Sequence, residues 1–165
     1  LYYQDELTGT AVKIEKGRFL KESIITDFSL DCDCFINVPV AKHHNASLLS
    51  MAMKNLMGIV KENQWKVWHP NLHQAIADFS TQFRPALHVL DAYRVIVRNG
   101  PPGGSLRDVE HPHQCIVGVN PASVDAYGAT LFGRKPEEVG HVQIAAEMGI
   151  GPIDLDKLNI RRIEA

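Results

Sequence analysis

The stretch Cys34-Phe35-Ile36-Asn37-Val38-Pro39-Val40, then Ala41-Lys42-His43-His44-Asn45, then residues 47–60 (SLLSMAMKNLMGIV), decides how the chain folds. Residues 34–40 are a short, nearly continuous β-branched apolar run, which predicts a strand covered on both faces. The four polar residues 42–45 read as a connection. Residues 47–60 are long and apolar or small at most positions, which predicts a mostly buried helix capped by Asn45 or Ser47.

Working outward, the same strand-then-helix rhythm recurs. Residues 11–15 (AVKIE) alternate as a half-buried strand does, and 86–90 (ALHVL) read as a second buried strand ending at Asp91. Residues 93–98 (YRVIVR) extend the sheet toward the turn-rich 99–104, and 115–119 (CIVGV) read as a third buried strand. A two-tryptophan loop over 61–70 precedes a helix near 71–83. Asn120-Pro121 opens a helix that runs to Phe132 and stops at Gly133; Pro136 opens another that Gly149 closes. Ile160 to Ile163 reads as a last short strand. The expectation is one α/β domain over residues 1–165, with a mostly parallel or mixed sheet and helices packed on it.

Composition sets the outer bounds. Of 165 residues, 45% are hydrophobic and 22% charged, which excludes a disordered or collagenous chain. Seventeen Lys and Arg against nineteen Asp and Glu leave a formal charge of −2, so nucleic acid and anionic membrane exert no global pull. No apolar run is long enough for a spanning helix, so no membrane partner is expected. Three cysteines make no disulfide framework and cannot furnish an ordinary four-thiolate iron–sulfur cluster. Burial is expected for Cys34 and Cys115. Residue 1 is Leu, so the chain reads as an excised piece of something longer; the compartment stays open, with cytoplasm the default.

In parallel α/β sheets ligands bind beyond the carboxyl ends of the strands. Three predicted strands end at Lys42-His43-His44-Asn45, at Asp91, and at Asn120 with Asp125 beyond it. Run parallel, they bring those groups to one edge. A lysine and two histidines between a strand and a helix start suit a phosphate or carboxylate, or else are solvated turn residues. Ser47, Ser50, Lys54 and Lys61 recur at helical spacings, drawing a polar stripe beside Asn55. A lysine inside such a helix either snorkels to water or faces a polar cavity. From Lys42 to His73 there are four lysines, four histidines and one glutamate. Trp65 and Trp68 in that stretch read as core anchors or a lid. His111, His113 and Cys115 alternate as metal ligands on an extended segment can, without an evident fourth ligand, so no metal site is assigned.

Several of these residues recur together in a known pattern. Ile36 to His44 resembles I-N-x-P-x-x-K-x-H, and Lys54-Asn55-Leu56-Met57-Gly58 resembles K-N-L-x-G. His69, His73 and Asp78 follow an H-x-x-x-H then Asp pattern, and Leu90-Asp91 closes a strand. Asn120-Pro121 to Asp125, then Leu131-Phe132-Gly133, resembles D-P-x-x-V-D then L-x-G, with Asn120 where the pattern usually carries Asp. In this order they are similar to the C-terminal part of the DUF362 family, from about residue 31 onward. The resemblance implies no established reaction; some members carry a ferredoxin-type iron–sulfur module, whose cysteine clusters this chain lacks.

The functional expectation is a site for a small anionic molecule at the strand ends, with enzyme placed ahead of binder. Lys42, His44, Lys54, Asn55, His69, His73 and Asp125 are the ligand-binding candidates, and Lys54, Asp91 and His44 the catalytic ones. Burial and a neighbouring Lys42 would lower the Lys54 pKa, suiting it to proton or Schiff-base chemistry. The cofactor is left unknown. The alternative is a non-catalytic metal or redox accessory module acting with an iron–sulfur domain or partner. Docking to a missing N-terminal part of the same protein, or homo-oligomerisation, would show as exposed apolar surface on strand 34–40.

Overall fold

The computed structural model describes residues 8–101 and 103–164; Leu1 to Leu7, Pro102 within the expected turn, and Ala165 lie outside them. Its strands are β1 (Gly9–Lys13), β2 (Glu22–Thr26), β3 (Ile36–Asn37), β4 (Val40–His44), β5 (Leu48–Ser50), β6 (Leu87–Ile96), β7 (Val109–Glu110) and β8 (Gln114–Gly118). Its helices are α1 (Asp27–Asp31), α2 (Ala52–Asn55), α3 (Gln64–Val67), α4 (Leu72–Gln82), α5 (Pro121–Thr130) and α6 (Gly140–Glu147), with short 3-10 turns between them. The domain is α/β with a mixed sheet.

The long strand β6 is the axis. β3 and β4 pair with it in parallel, one after the other, and Pro39 between them still accepts Asp91 N–H at 2.8 Å through its carbonyl. β8 and β7 pair with it antiparallel, and β5 pairs antiparallel with β4 outside. β1 and β2 form a separate antiparallel pair.

Residues on the two faces of this sheet meet opposite fates. Ala41, His88, Leu90 and Ala92 are fully buried in the core, beneath a layer that includes α2 and α5. Ile36, Val38, Val40, Tyr93, Val117 and Val119 are exposed. Residues 34–40 are therefore covered on one face only, not on both as their apolar run predicts. Cys115 sits opposite Asp91 on the open side and Cys34 precedes β3; both thiols are exposed rather than buried.

Other expectations need correcting. The helix predicted over 47–60 is β5, then α2, then a 3-10 turn over Leu56–Ile59. Pairing of Lys42, His43 and His44 with Ser50, Leu49 and Leu48 overrides local helix propensity. Ser47 is buried, its Oγ donating to the Leu49 carbonyl, so the predicted polar stripe does not exist. Within 61–70 there is a turn of helix, α3. Trp68 is a core anchor, whereas Trp65 is exposed and stacked on His69. Ile160 to Ile163 form no strand. The stop signals at Gly133 and Gly149 hold, with left-handed φ of 64° and 70°. No helix among the described residues is long and apolar enough to cross a membrane.

Candidate functional site

β4 leaves its regular register with β6 just where the polar residues begin. Val40 lies opposite Asp91, yet Lys42 lies opposite Ile96, so three residues of β6 are skipped. From Lys42 the chain turns back through 45–47 into β5. In that turn His44 Nδ1 accepts Ala46 N–H at 3.1 Å and Ser47 N–H at 3.3 Å. Both bonds need a lone pair on Nδ1, so the ring proton sits on Nε2. The loop after β6 closes on this hairpin at Gly100, whose N–H donates to His43 Nδ1 at 3.1 Å. A Cβ there would lie 2.0 Å from the His43 carbonyl oxygen, so only glycine permits the approach.

α2 follows β5 with Met51 at its N-cap, a residue without a capping group. The cap comes from across the core instead. Asp125, fully buried on α5, accepts Ala52 N–H at 2.6 Å and Met53 N–H at 3.0 Å. Burial pushes its carboxyl up to about 7 despite those two donors. His141 of α6 lies behind it, with Nε2 at 3.9 Å from the carboxylate and no hydrogen-bond partner. Burial, reinforced by His73, Lys54 and His44, holds His141 down to about 3, so its ring is neutral. His73 stacks on that ring, and its Nδ1 accepts His141 N–H at 3.1 Å.

This clamp presents Lys54 and Asn55 to a hollow of about 390 Å³, walled by Lys42, His44, Ser50, Met57 and Gln64 and rimmed by Pro101. Asn55 is steered from behind: its Nδ2 donates to Asn37 Oδ1 at 2.8 Å, while Asn37 Nδ2 lies 2.8 Å from the Ala52 carbonyl and 3.0 Å from His88 Nδ1. Among the described residues no carboxylate lines the hollow, and neither lysine makes an ion pair. Burial, with the Lys42 charge adding to it, lowers the Lys54 pKa. Burial also brings His44 down to about 4, helped by Lys54, His69, Lys42 and His43. His44 is thus a neutral Nε2–H donor at pH 7, as burial beside two lysines requires.

Of the residues chosen from sequence, Lys42, His44, Lys54 and Asn55 meet in one place. His69 stands near enough to act on His44 electrostatically, but its Nδ1 is engaged by the Gln64 carbonyl at 3.0 Å. His73 and Asp125 lie in the buried support behind α2. Asp91 is not in the group: it sits mid-strand on the open face, with Oδ1 accepting Tyr93 N–H at 2.8 Å. β6 does not end there, and β8 runs antiparallel, so the expected shared edge of three strand ends does not form. Asn120 is an N-cap that accepts Ser123 N–H, and its Nδ2 donates to the Ile150 carbonyl at 2.8 Å, a bond that aspartate could not make. Asp78 accepts the backbone N–H groups of Arg18, Phe19 and Leu20, a structural task. Ser50, Gln64 and His141 were not among the sequence candidates; Gln64 and His141 join only through tertiary contacts. His113 stacks on Tyr93, and no three His, Cys, Asp or Glu side chains among the described residues converge as metal ligands.

These features define an α/β protein with a half-covered mixed sheet and a lysine-lined hollow beside an interrupted strand. The chain belongs to the family described as Domain of unknown function (DUF362), matching it over residues 3–130. That match begins well before residue 31 and stops just short of Leu131-Phe132-Gly133. No curated protein and no solved structure matches the chain.

Proposed function

We propose that the hollow binds a small anionic molecule and that it is the reactive centre of the protein. The observation that carries this reading is the meeting of Lys42 and Lys54, from different elements, in a cavity whose walls hold no carboxylate among the described residues. Two cations held together without a counter-ion repel each other, and an anion between them relieves that repulsion. The His44 Nε2–H adds a neutral donor, and Asn55, fixed by Asn37, orients the guest. The volume suits a small metabolite.

Thermal unfolding in inorganic phosphate, against chloride at equal ionic strength, tests this. A ligand at a hundredfold over its Kd stabilises the native state by about 2.7 kcal/mol, and the Tm rises accordingly. The K42M/K54M double variant loses that rise, whereas K16M, which removes an exposed lysine, keeps it. Equal stabilisation of wild type and the double variant would overturn the reading.

A further inference from the structure

The geometry points to Lys54 as an amine nucleophile: we infer that its Nζ condenses reversibly with the carbonyl carbon of a small 2-oxo acid whose carboxylate rests on Lys42. This rests on the anionic reading of the hollow and names the substrate class.

Three features of the site converge on it. First, among the described residues no carboxylate lines the cavity to hold Lys54 as an ammonium ion; it is half-buried, and its charged neighbour in the cavity wall is a second lysine. A desolvated lysine beside another cation is the ordinary way a protein keeps an amine free to attack. Second, Lys54 stands on a single helical turn whose first two N–H groups are pinned by buried Asp125, so the side chain leaves from a fixed backbone. Third, His44 is locked as the Nε2–H tautomer by two backbone donors on Nδ1. A neutral N–H donor polarises a carbonyl oxygen without protonating the amine beside it.

The chemistry balances within the site and water. The Nζ lone pair forms a C–N bond to the carbonyl carbon, and the carbonyl electron pair moves to oxygen, where the His44 N–H and the Lys42 ammonium stabilise it. The C–O bond then breaks, the oxygen leaves as water carrying the two amine protons, and a C=N bond remains. No oxidant or reductant is consumed.

The test is reductive trapping. Full-length protein is incubated with pyruvate and cyanoborohydride, and the reduced adduct is located by peptide mass mapping. Lys54 is expected to label roughly tenfold or more faster than exposed Lys16. Lys54→Arg abolishes labelling at that position while keeping the phosphate-induced rise in Tm, because charge is retained and the nucleophile is not. Lys42→Met slows labelling at Lys54 by removing the carboxylate anchor. Labelling of Lys54 no faster than Lys16, with the phosphate effect intact, overturns this inference alone. Loss of both overturns the anionic reading as well, and labelling at Lys54 that ignores Lys42→Met removes the 2-oxo acid anchor from the proposal.

Discussion

The two faces of the same sheet are built from the same strands and end in opposite environments. On one side Leu90 and Ala92 of β6 and Ala41 of β4 are fully buried, and His88 with them. On the other, Val40 is 44% exposed, Val117 59% and Val119 74%. Alternation along a strand makes this possible, since neighbours point to opposite faces. The comparison teaches that apolar character does not report burial here. What matters is which residues the α2, α4, α5 and α6 layer reaches, and the hollow is set by that layer and the β4–β5 hairpin.

The largest effect is expected where the covered side holds a charge-bearing group. Asp125→Ala leaves the Ala52 and Met53 N–H groups unpaired in the core, at about 1–3 kcal/mol each. It also frees the start of α2, so the phosphate effect weakens along with the urea midpoint. Loss of stability without any change in phosphate response would show that α2 holds Lys54 in place without its cap. Next comes Leu90→Ala, a large-to-small change in packed core, which costs about 2–5 kcal/mol by urea titration.

How much of this was legible follows from the same contrast. β1, α4, α5 and the glycine stops could be read, because alternation, helical period and caps are local signals. The 47–60 segment could not, because an apolar run satisfies a buried helix and a paired strand equally, and only the turn at 45–47 chooses between them. The meeting of Lys42, His44, Lys54 and Asn55 was legible as a set of polar residues on an apolar background. Asp91 was misplaced because the polar break at that residue reads as a strand end, whereas the runs 86–90 and 93–98 join in one continuous strand, β6, from Leu87 to Ile96. The neutral state of His44 follows from burial and its cationic neighbours, and its tautomer depends on two backbone N–H groups that no motif announces.

The pH dependence sharpens the covered side further. His141 sits near 3 in the native state against 6.5 for an ordinary histidine. Between those values the unfolded chain binds the proton and the native one does not, so stability falls as pH drops from 6.5 toward 3. His44, near 4, adds in the same direction over 6.5 to 4. Asp125 opposes them: with its carboxyl raised to about 7 from 3.8, native protein binds the extra proton, and its contribution is lost as pH rises through that range. His141→Phe removes one acid-side contribution and leaves the Asp125 hydrogen bonds to Ala52 and Met53 in place. Urea midpoints between pH 7.5 and 5 should then fall less steeply than in wild type; an unchanged slope would mean that His141 is protonated in the fold.

The smallest effect belongs to the open face. Val117→Thr keeps the β-branched shape and adds a hydroxyl that water can satisfy at a position already 59% exposed. Its cost should stay within about 0.5 kcal/mol, the range of ordinary surface substitutions. The same change at a covered position would bury a hydroxyl needing a partner and cost about 1–3 kcal/mol. The comparison therefore breaks at one measurable point. If Val117→Thr shifts the urea midpoint by as much as Leu90→Ala, the residue is packed in solution, and the sheet does not have one open face.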